Sequence, residues 1–379
     1  MKRLSLVALG VLSMAFVFGC SSGDTAKSTA AGAEDGGPDA RPPFVPTGEP
    51  LTGDNLKWTW IDFPDSSCRD GSTAGVAVSL NSASDKLMIY LEGGGACFDS
   101  ITCAGNPANV GKQKAEQTAG LFDRSNAQNP VKDWNYVYIP YCTGDIHAGT
   151  NENGSIDGLP GTQKFVGRRN MEAYLQRIVP TFSKASQVLL TGISAGGFGA
   201  ASNSDLVGRA FGSKVPISLI DDSGPSMSSK YLPACLQDKW RQLWGFDDSI
   251  LKDCGNACPK KDDYTLDFSK FLAKKYPKRE SGVIESNNDG VITLFYGYGR
   301  NDCTGSLTTP VPAAEFDAGL QDLRAQMAQF PKVLTYFPAS TQHTWVGDAT
   351  LYTEAEGGTK LLDWVTAITN DTPAENVGQ

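Results

Sequence analysis

Six short apolar runs, each ending in a loop that carries Gly or Asp, restrict the fold more than any other feature of the chain. Lys86 to Leu91 leads into Glu92-Gly93-Gly94-Gly95, Tyr136 to Tyr141 into Cys142-Thr143-Gly144-Asp145, and Val188 to Leu190 into a serine-bearing turn. Val215 to Ile220 leads into Asp221 through Gly224, Val291 to Tyr296 into Gly297 through Cys303, and Val333 to Phe337 into Pro338 through Trp345. Runs this short and this apolar are what strands buried on both faces require. Helical patterns accompany them: Arg169 to Ile178, which breaks at Pro180; Ala313 to Gln329, with Phe316, Leu320, Leu323 and Met327 at helical spacing; and Thr359 to Ile368. Such alternation predicts an α/β fold, a mostly parallel sheet with helices on both faces, with ligands at the carboxyl ends of the strands. Residues 227–285 break the alternation. They are polar and aromatic, with Trp240, Trp244, Phe246, Tyr264, Phe268 and Phe271, and read as a helical lid insertion.

The N-terminus has another character. Met1-Lys2-Arg3 and an apolar stretch from Leu4 to Gly19 form a signal peptide over residues 1–19, too short to span a bilayer stably. Val17-Phe18-Gly19-Cys20 resembles a bacterial lipoprotein cleavage box, so Cys20 is expected to be lipidated and to begin a flexible tether over residues 20–50. The folded domain then covers residues 51–370, and the expected location is the cell envelope, at the outer membrane or cell surface, with plain secretion as the alternative. The chain has 33 Lys and Arg against 42 Asp and Glu, and loss of the signal peptide would take Lys2 and Arg3 and no acid, leaving a net charge of −11. That balance gives no footprint for nucleic acid and no polybasic segment for anionic lipid; membrane contact is expected through the anchor alone. Besides Cys20 there are eight cysteines, an even number that in an exported chain argues for up to four disulfides. Cys97 with Cys103, and Cys254 with Cys258, are near enough in sequence to close local loops. No C-x-x-C pair occurs and histidine is scarce, so no metal or other cofactor is expected.

Gly192-Ile193-Ser194-Ala195-Gly196 follows the third run and precedes small residues able to open a helix, the strand–turn–helix context of a nucleophile elbow. A serine hydroxyl needs a base, and the base needs an acid to orient it. The chain has two histidines, His147 and His343. In the α/β-hydrolase arrangement the order is Ser, acid, His. His147 precedes Ser194, whereas His343 follows the last run and fits. Asp302, after the run Val291 to Tyr296, is the expected acid; Asp222, after the preceding run, competes, and Asp289 lies before the run Val291 to Tyr296, at the wrong end of a strand there. The developing oxyanion requires preorganised amides. Ala195, next to the nucleophile, and the glycine loop Gly93-Gly94-Gly95 are placed to supply them.

Several motifs in one order resemble the pectin acetylesterase/Notum family of carboxylesterases. They are Cys68-Arg69-Asp70-Gly71-Ser72, Tyr90-Leu91-Glu92-Gly93-Gly94-Gly95-Ala96-Cys97, Asn129-Pro130, Trp134-Asn135, Tyr141-Cys142, Phe165-Val166-Gly167 and the serine segment. The resemblance runs from about Cys68 to Trp345 and is looser toward the C-terminus, where it rests on Asp302 and His343. It implies an α/β-hydrolase-like fold, a triad of Ser194, Asp302 and His343, oxyanion donors at Gly94, Gly95 and Ala195, and disulfides Cys68–Cys142 and Cys97–Cys103. The family often has tryptophan before the loop cysteine, and here that residue is Ala96, which should reshape the acyl or leaving-group pocket.

The function implied is a serine carboxylesterase acting on an ester substrate, first of all by O-deacetylation of a polysaccharide, that is, an acylated glycan. The net charge sits awkwardly with a polyanionic pectin. Removal of a longer fatty acyl group, as in Notum, is the second reading. A non-catalytic surface lipoprotein that binds glycan or lipid is the third, and the intact serine, acid and histidine argue against it.

Overall fold

The computed structural model describes residues 43–111, 116–304 and 309–378. Signal peptide 1–19, Cys20 and most of the tether lie outside these residues. Nine strands make one sheet: β1 (Trp58–Ser67), β2 (Thr73–Ser79), β3 (Lys86–Leu91), β4 (Asn135–Ile139), β5 (Gln187–Ile193), β6 (Ile217–Asp222), β7 (Ser281–Ile284), β8 (Val333–Phe337) and β9 (Val377–Gly378). Their spatial order is β1-β2-β4-β3-β5-β6-β7-β8-β9. β1, β2 and β4 pair antiparallel, and every neighbour pair from β4 to β9 is parallel. The mostly parallel sheet expected from the apolar runs is therefore present, extended by an N-terminal antiparallel hairpin.

Alternation of side chains across the sheet explains why the central strands are apolar throughout. In β3, Leu87, Ile89 and Leu91 join Val188 and Leu190 of β5 on one face. There they meet Met171, Leu175 and Ile178 of α1 (Gly167–Thr181) and Leu206 and Val207 of α2 (Ala195–Phe211). Met88 and Tyr90 point the other way, into a cluster that holds Leu189 and Ile220. Pro180 lies inside the last turn of α1 and does not end it; the helix closes one residue later, at Thr181.

Between β6 and β7 the chain forms α3 (Ala234–Trp244) and α4 (Thr265–Lys275), joined by short helical turns. The helical character expected for 227–285 is observed, except that 281–284 belong to the sheet as β7. Trp240 and Trp244 stack with centroids 5.6 Å apart, and with Phe246, Phe268 and Leu272 they pack into one core with Cys97 and Phe98 of the glycine-loop segment and with Ile292 and Tyr296. After β7 come α5 (Ile292–Gly297), α6 (Ala313–Met327), β8 and α7 (Leu361–Thr369). On the Met88 and Tyr90 face, α7 buries Trp364 and Val365.

One expectation fails here. Val291 to Tyr296, read as a strand, is helix α5, and the strand in that part of the sheet is the earlier Ser281–Ile284. A six-residue apolar run does not distinguish a buried strand from a buried helix. The decision comes from outside the run, where the Asp289 carboxylate accepts the amides of Val291 and Ile292 at 2.7 and 2.8 Å and nucleates the first turn.

Among the described residues there are four disulfides: Cys68–Cys142 and Cys97–Cys103, the two that the resemblance implies, together with Cys254–Cys258 and Cys235–Cys303. Among the described residues no helix is long and apolar enough to cross a membrane, and no cluster of His, Cys, Asp and Glu is arranged to hold a metal ion.

Candidate active site

The turn between β5 and α2 holds Ser194 at φ 55°, ψ −123°, a backbone conformation that non-glycine residues rarely adopt. Its two glycines are steric requirements. A Cβ on Gly192 would lie 2.3 Å from the Gly196 carbonyl oxygen, and one on Gly196 would lie 2.0 Å from the Leu91 carbonyl oxygen. The elbow can turn this tightly only where backbone crosses backbone without side chains.

The glycine loop after β3 rests on this turn. A Cβ on Gly93 would meet the Ile193 carbonyl oxygen at 2.7 Å and the Ser194 Cβ at 3.0 Å. Gly94 and Gly95 take positive φ, 154° and 78°. The loop is braced at each side. The Glu92 carboxylate accepts the Tyr141 amide at 2.8 Å, and Asn106 Nδ2 donates to the Gly94 carbonyl at 2.7 Å. Ala195, the third expected donor, is buried at the start of α2. His147, which chain order excludes as base, is buried with its Nε2 2.8 Å from the Glu92 carbonyl and its ring 4.7 Å from that of Tyr141. It is a brace for the glycine loop.

His343 lies in the loop after β8, partly exposed, with Nδ1 2.7 Å from Asp289 Oδ2. Asp302 is not its partner. It is exposed, in a turn of positive φ that follows α5 rather than a strand, beside the Cys303 that joins Cys235. Once the strand is recognised as Ser281–Ile284, Asp289 follows it on the carboxyl edge, and the reason for setting Asp289 aside disappears. The local signal was Asn287-Asn288-Asp289-Gly290 ahead of an apolar run, a helix start with its capping aspartate.

The acid and histidine loops run side by side. Asn287 donates its amide to Pro338, Asn288 to Ser340 and Gly290 to Thr341, at 3.0 to 3.3 Å, and Ser286 Oγ donates to the Gln342 carbonyl at 2.6 Å.

Asp222, the competing acid, fastens the two halves of the site together. Its carbonyl accepts the Ser194 amide at 2.7 Å, while its Oδ2 accepts the amides of Trp345 and Val346, both at 2.7 Å. One residue at the end of β6 thus fixes both the Ser194 turn and the loop that carries His343. Burial pushes its pKa up to about 6, and the amides of Val346 and Trp345 oppose that rise.

Beside Ser194 lies a cavity of about 30 Å³, lined by Gly95, Ala96, Ile146, Ala195, Phe198, Trp240, Trp244, Ile292, Phe295 and Tyr296. Its walls come from the sheet loops, the insertion helix α3 and helix α5. Ala96 lies in the wall, so the absent tryptophan of the resemblance concerns this cavity directly.

The profile of the pectinacetylesterase family matches residues 55–272, more than half of the chain. The palmitoleoyl-protein carboxylesterase notum2 of Xenopus laevis is 28% identical over 204 residues, 50% of this chain and 41% of that protein. The palmitoleoyl-protein carboxylesterase NOTUM of Schmidtea mediterranea is 31% identical over 168 residues, 40% of this chain and 31% of that protein. The chain thus spans about two fifths or less of the length of these relatives. The structure of the Wnt deacylase Notum from Drosophila superposes with a TM-score of 0.67 at 18% identity, covering 86% of this chain and 97% of that one, a likeness of fold. With an α/β-hydrolase fold and a family match running from β1 into α4, the chain belongs to the pectinacetylesterase family.

Proposed function

We propose that the chain is a serine carboxylesterase that removes a short acyl group, in first place acetyl from an O-acetylated glycan. Ser194 Oγ attacks the ester carbonyl. His343 takes the hydroxyl proton and returns it to the leaving alcohol, and water then repeats the sequence on the acyl-enzyme. Asp289, in place of Asp302, holds the His343 Nδ1–H and balances the imidazolium. The amides of Ala195, Gly94 and Gly95 receive the oxyanion, a role for which the braced glycine loop is suited because its donors need no reorganisation. The observation that carries this reading is the 2.7 Å His343–Asp289 pair, on a loop tied through Asp222 to the turn of Ser194.

The cavity beside Ser194 supports the short acyl group. Its space is small, about 30 Å³, and its walls are apolar, as an acyl methyl requires. A fatty-acyl deacylase is the second reading, favoured by the aromatic wall of α3. A net charge of −9 for the whole chain favours a neutral acetylated glycan over a polyanion. Anchoring through Cys20 and export to the cell envelope complete the proposal; four disulfides accord with an oxidising compartment.

The test is turnover of nitrophenyl acetate against nitrophenyl octanoate, with fluorophosphonate labelling mapped to Ser194. Acetate should be preferred, and Ser194→Ala should abolish turnover and label together. Activity surviving in Ser194→Ala rejects the mechanism. Preference for octanoate selects the second reading, and absence of both turnover and label selects a binding protein.

A further inference from the structure

Behind the triad lies a group that the mechanism above does not use. Glu285 directly follows β7 and is four residues from Asp289; its amide donates to the Tyr336 carbonyl at 3.0 Å, and its side chain is completely buried. Among the described residues, neither of its carboxyl oxygens receives a hydrogen bond. The titratable groups that face it are Asp289, Asp222, Asp221 and Tyr296. Three are carboxyls, and the Tyr296 hydroxyl is committed to the Pro225 carbonyl. An ionised Glu285 would be a buried anion among acids without one donor, an arrangement proteins avoid by keeping the proton. Burial first, and then Asp289, push its pKa well above the usual carboxylate range.

A protonated carboxyl is a donor, and Asp289 is the acceptor within hydrogen-bonding reach. Asp289 has room for it. A carboxylate offers about four acceptor positions, and three are taken, by the amides of Val291 and Ile292 and by His343 Nδ1. We propose that Glu285 is a positioning residue of the esterase, a carboxylic acid kept protonated in the core that donates its O–H to Asp289 and so fixes the carboxylate facing His343. Glu285 then acts through Asp289 alone and never meets substrate. The inference rests on the esterase reading for its kinetic consequences and on the buried geometry alone for the proton.

The experiment compares Glu285→Gln and Glu285→Leu with the wild type, reading the pH profile of kcat/KM on nitrophenyl acetate and the infrared carbonyl band of a protonated carboxylic acid near neutral pH. Gln keeps a donor of the same shape and should hold kcat/KM within about threefold, with the acid limb unmoved. Leu removes the donor and should cost about tenfold. Its acid limb should also move to higher pH, because an Asp289 relieved of a donor holds the imidazolium more strongly. A limb that moves to lower pH in Glu285→Gln means that a negative charge was lost, and overturns the proposal. Equal losses in both variants with unmoved limbs mean packing alone, and overturn it too. If Glu285→Leu does not fold, the infrared band decides: it should lose the Glu285 component in Glu285→Gln while that of buried Asp221 remains, and an unchanged band refutes the proton. Failure of Ser194→Ala to abolish activity would refute the esterase and leave the band where it was, so the two failures are distinct.

Discussion

The two oxygens of Asp289 serve different ends. Oδ1 accepts the first amides of α5 and Oδ2 faces His343, so the residue that starts the helix also sets the tilt of the imidazole. Asp289→Asn should leave much of the helix cap in place, because the amide oxygen still accepts. It presents the wrong partner to Nδ1–H, and kcat/KM should fall by about 10³ to 10⁴. Asp302→Asn, in an exposed turn, should stay within about threefold of the wild type, a change of the size usual for surface sites. Steady-state kinetics on nitrophenyl acetate separate the two, and a larger loss in Asp302→Asn would reinstate the residue that chain order suggested. The sequence singles out Ser194 and His343 because scarcity and order leave no other choice, and the structure sets His343 against a carboxylate on a neighbouring loop. The partner of His343 was not legible, since 42 acidic residues remove the constraint of scarcity and its position depends on which run is a strand.

That question belongs to the elements. Val291 to Tyr296 is richer in β-branched and aromatic residues than Ser281–Ile284, which opens on Ser-Gly, and yet the second is the strand. The sheet overrides propensity because β7 is paired on both sides, to β6 and to β8, whatever its composition. Elements with a long period were readable, as for α6 and the centre of α1. β1 and β9, paired on one side only, were not. The insertion helix α3 carries the consequence for specificity. Trp240 lines the cavity and stacks on Trp244, and its own Nε1 has no partner among the described residues. Trp240→Ala should enlarge the acyl site at a cost of about 3–5 kcal/mol in stability. The ratio of octanoate to acetate turnover should rise at least about tenfold, the scale of one or two methylenes in an apolar pocket. An unchanged ratio in a variant shown by thermal melting to be folded would mean that α3 does not measure the acyl chain.

For the molecule as a whole, buried acids set an unusual dependence of stability on pH. Asp145 and Asp222 are both fully buried, and burial raises each pKa from 3.8 to about 6. Between those values the folded chain binds more protons than the unfolded one, so stability falls as pH rises through this window. Asp221 and Glu285, raised further by the same cause, extend the trend to higher pH. Each of the first two contributes up to roughly 3 kcal/mol before relaxation of the fold reduces it. The melting temperature should therefore be several degrees higher at pH 5 than at pH 8. A melting temperature that is flat or rises with pH would show that these carboxyls are solvated in the native state.

The bond between Cys235 and Cys303 joins α3 to the segment after α5, and both helices supply walls of the cavity beside Ser194. Cys235 belongs to α3, which carries Trp240 and Trp244; Cys303 lies six residues beyond α5, which carries Ile292, Phe295 and Tyr296. Its loop closes a sequence separation of 68 residues, nearly all of the insertion. On the esterase reading, oxidation of this pair is expected to bear on acyl selectivity as well as on stability. The proposed mechanism uses neither cysteine, so a reduced chain should still turn over nitrophenyl acetate, while no covalent bond then ties α3 to the segment after α5. Reduction of that bond should therefore narrow the ratio of acetate to octanoate turnover, with the residues of the cavity walls unchanged.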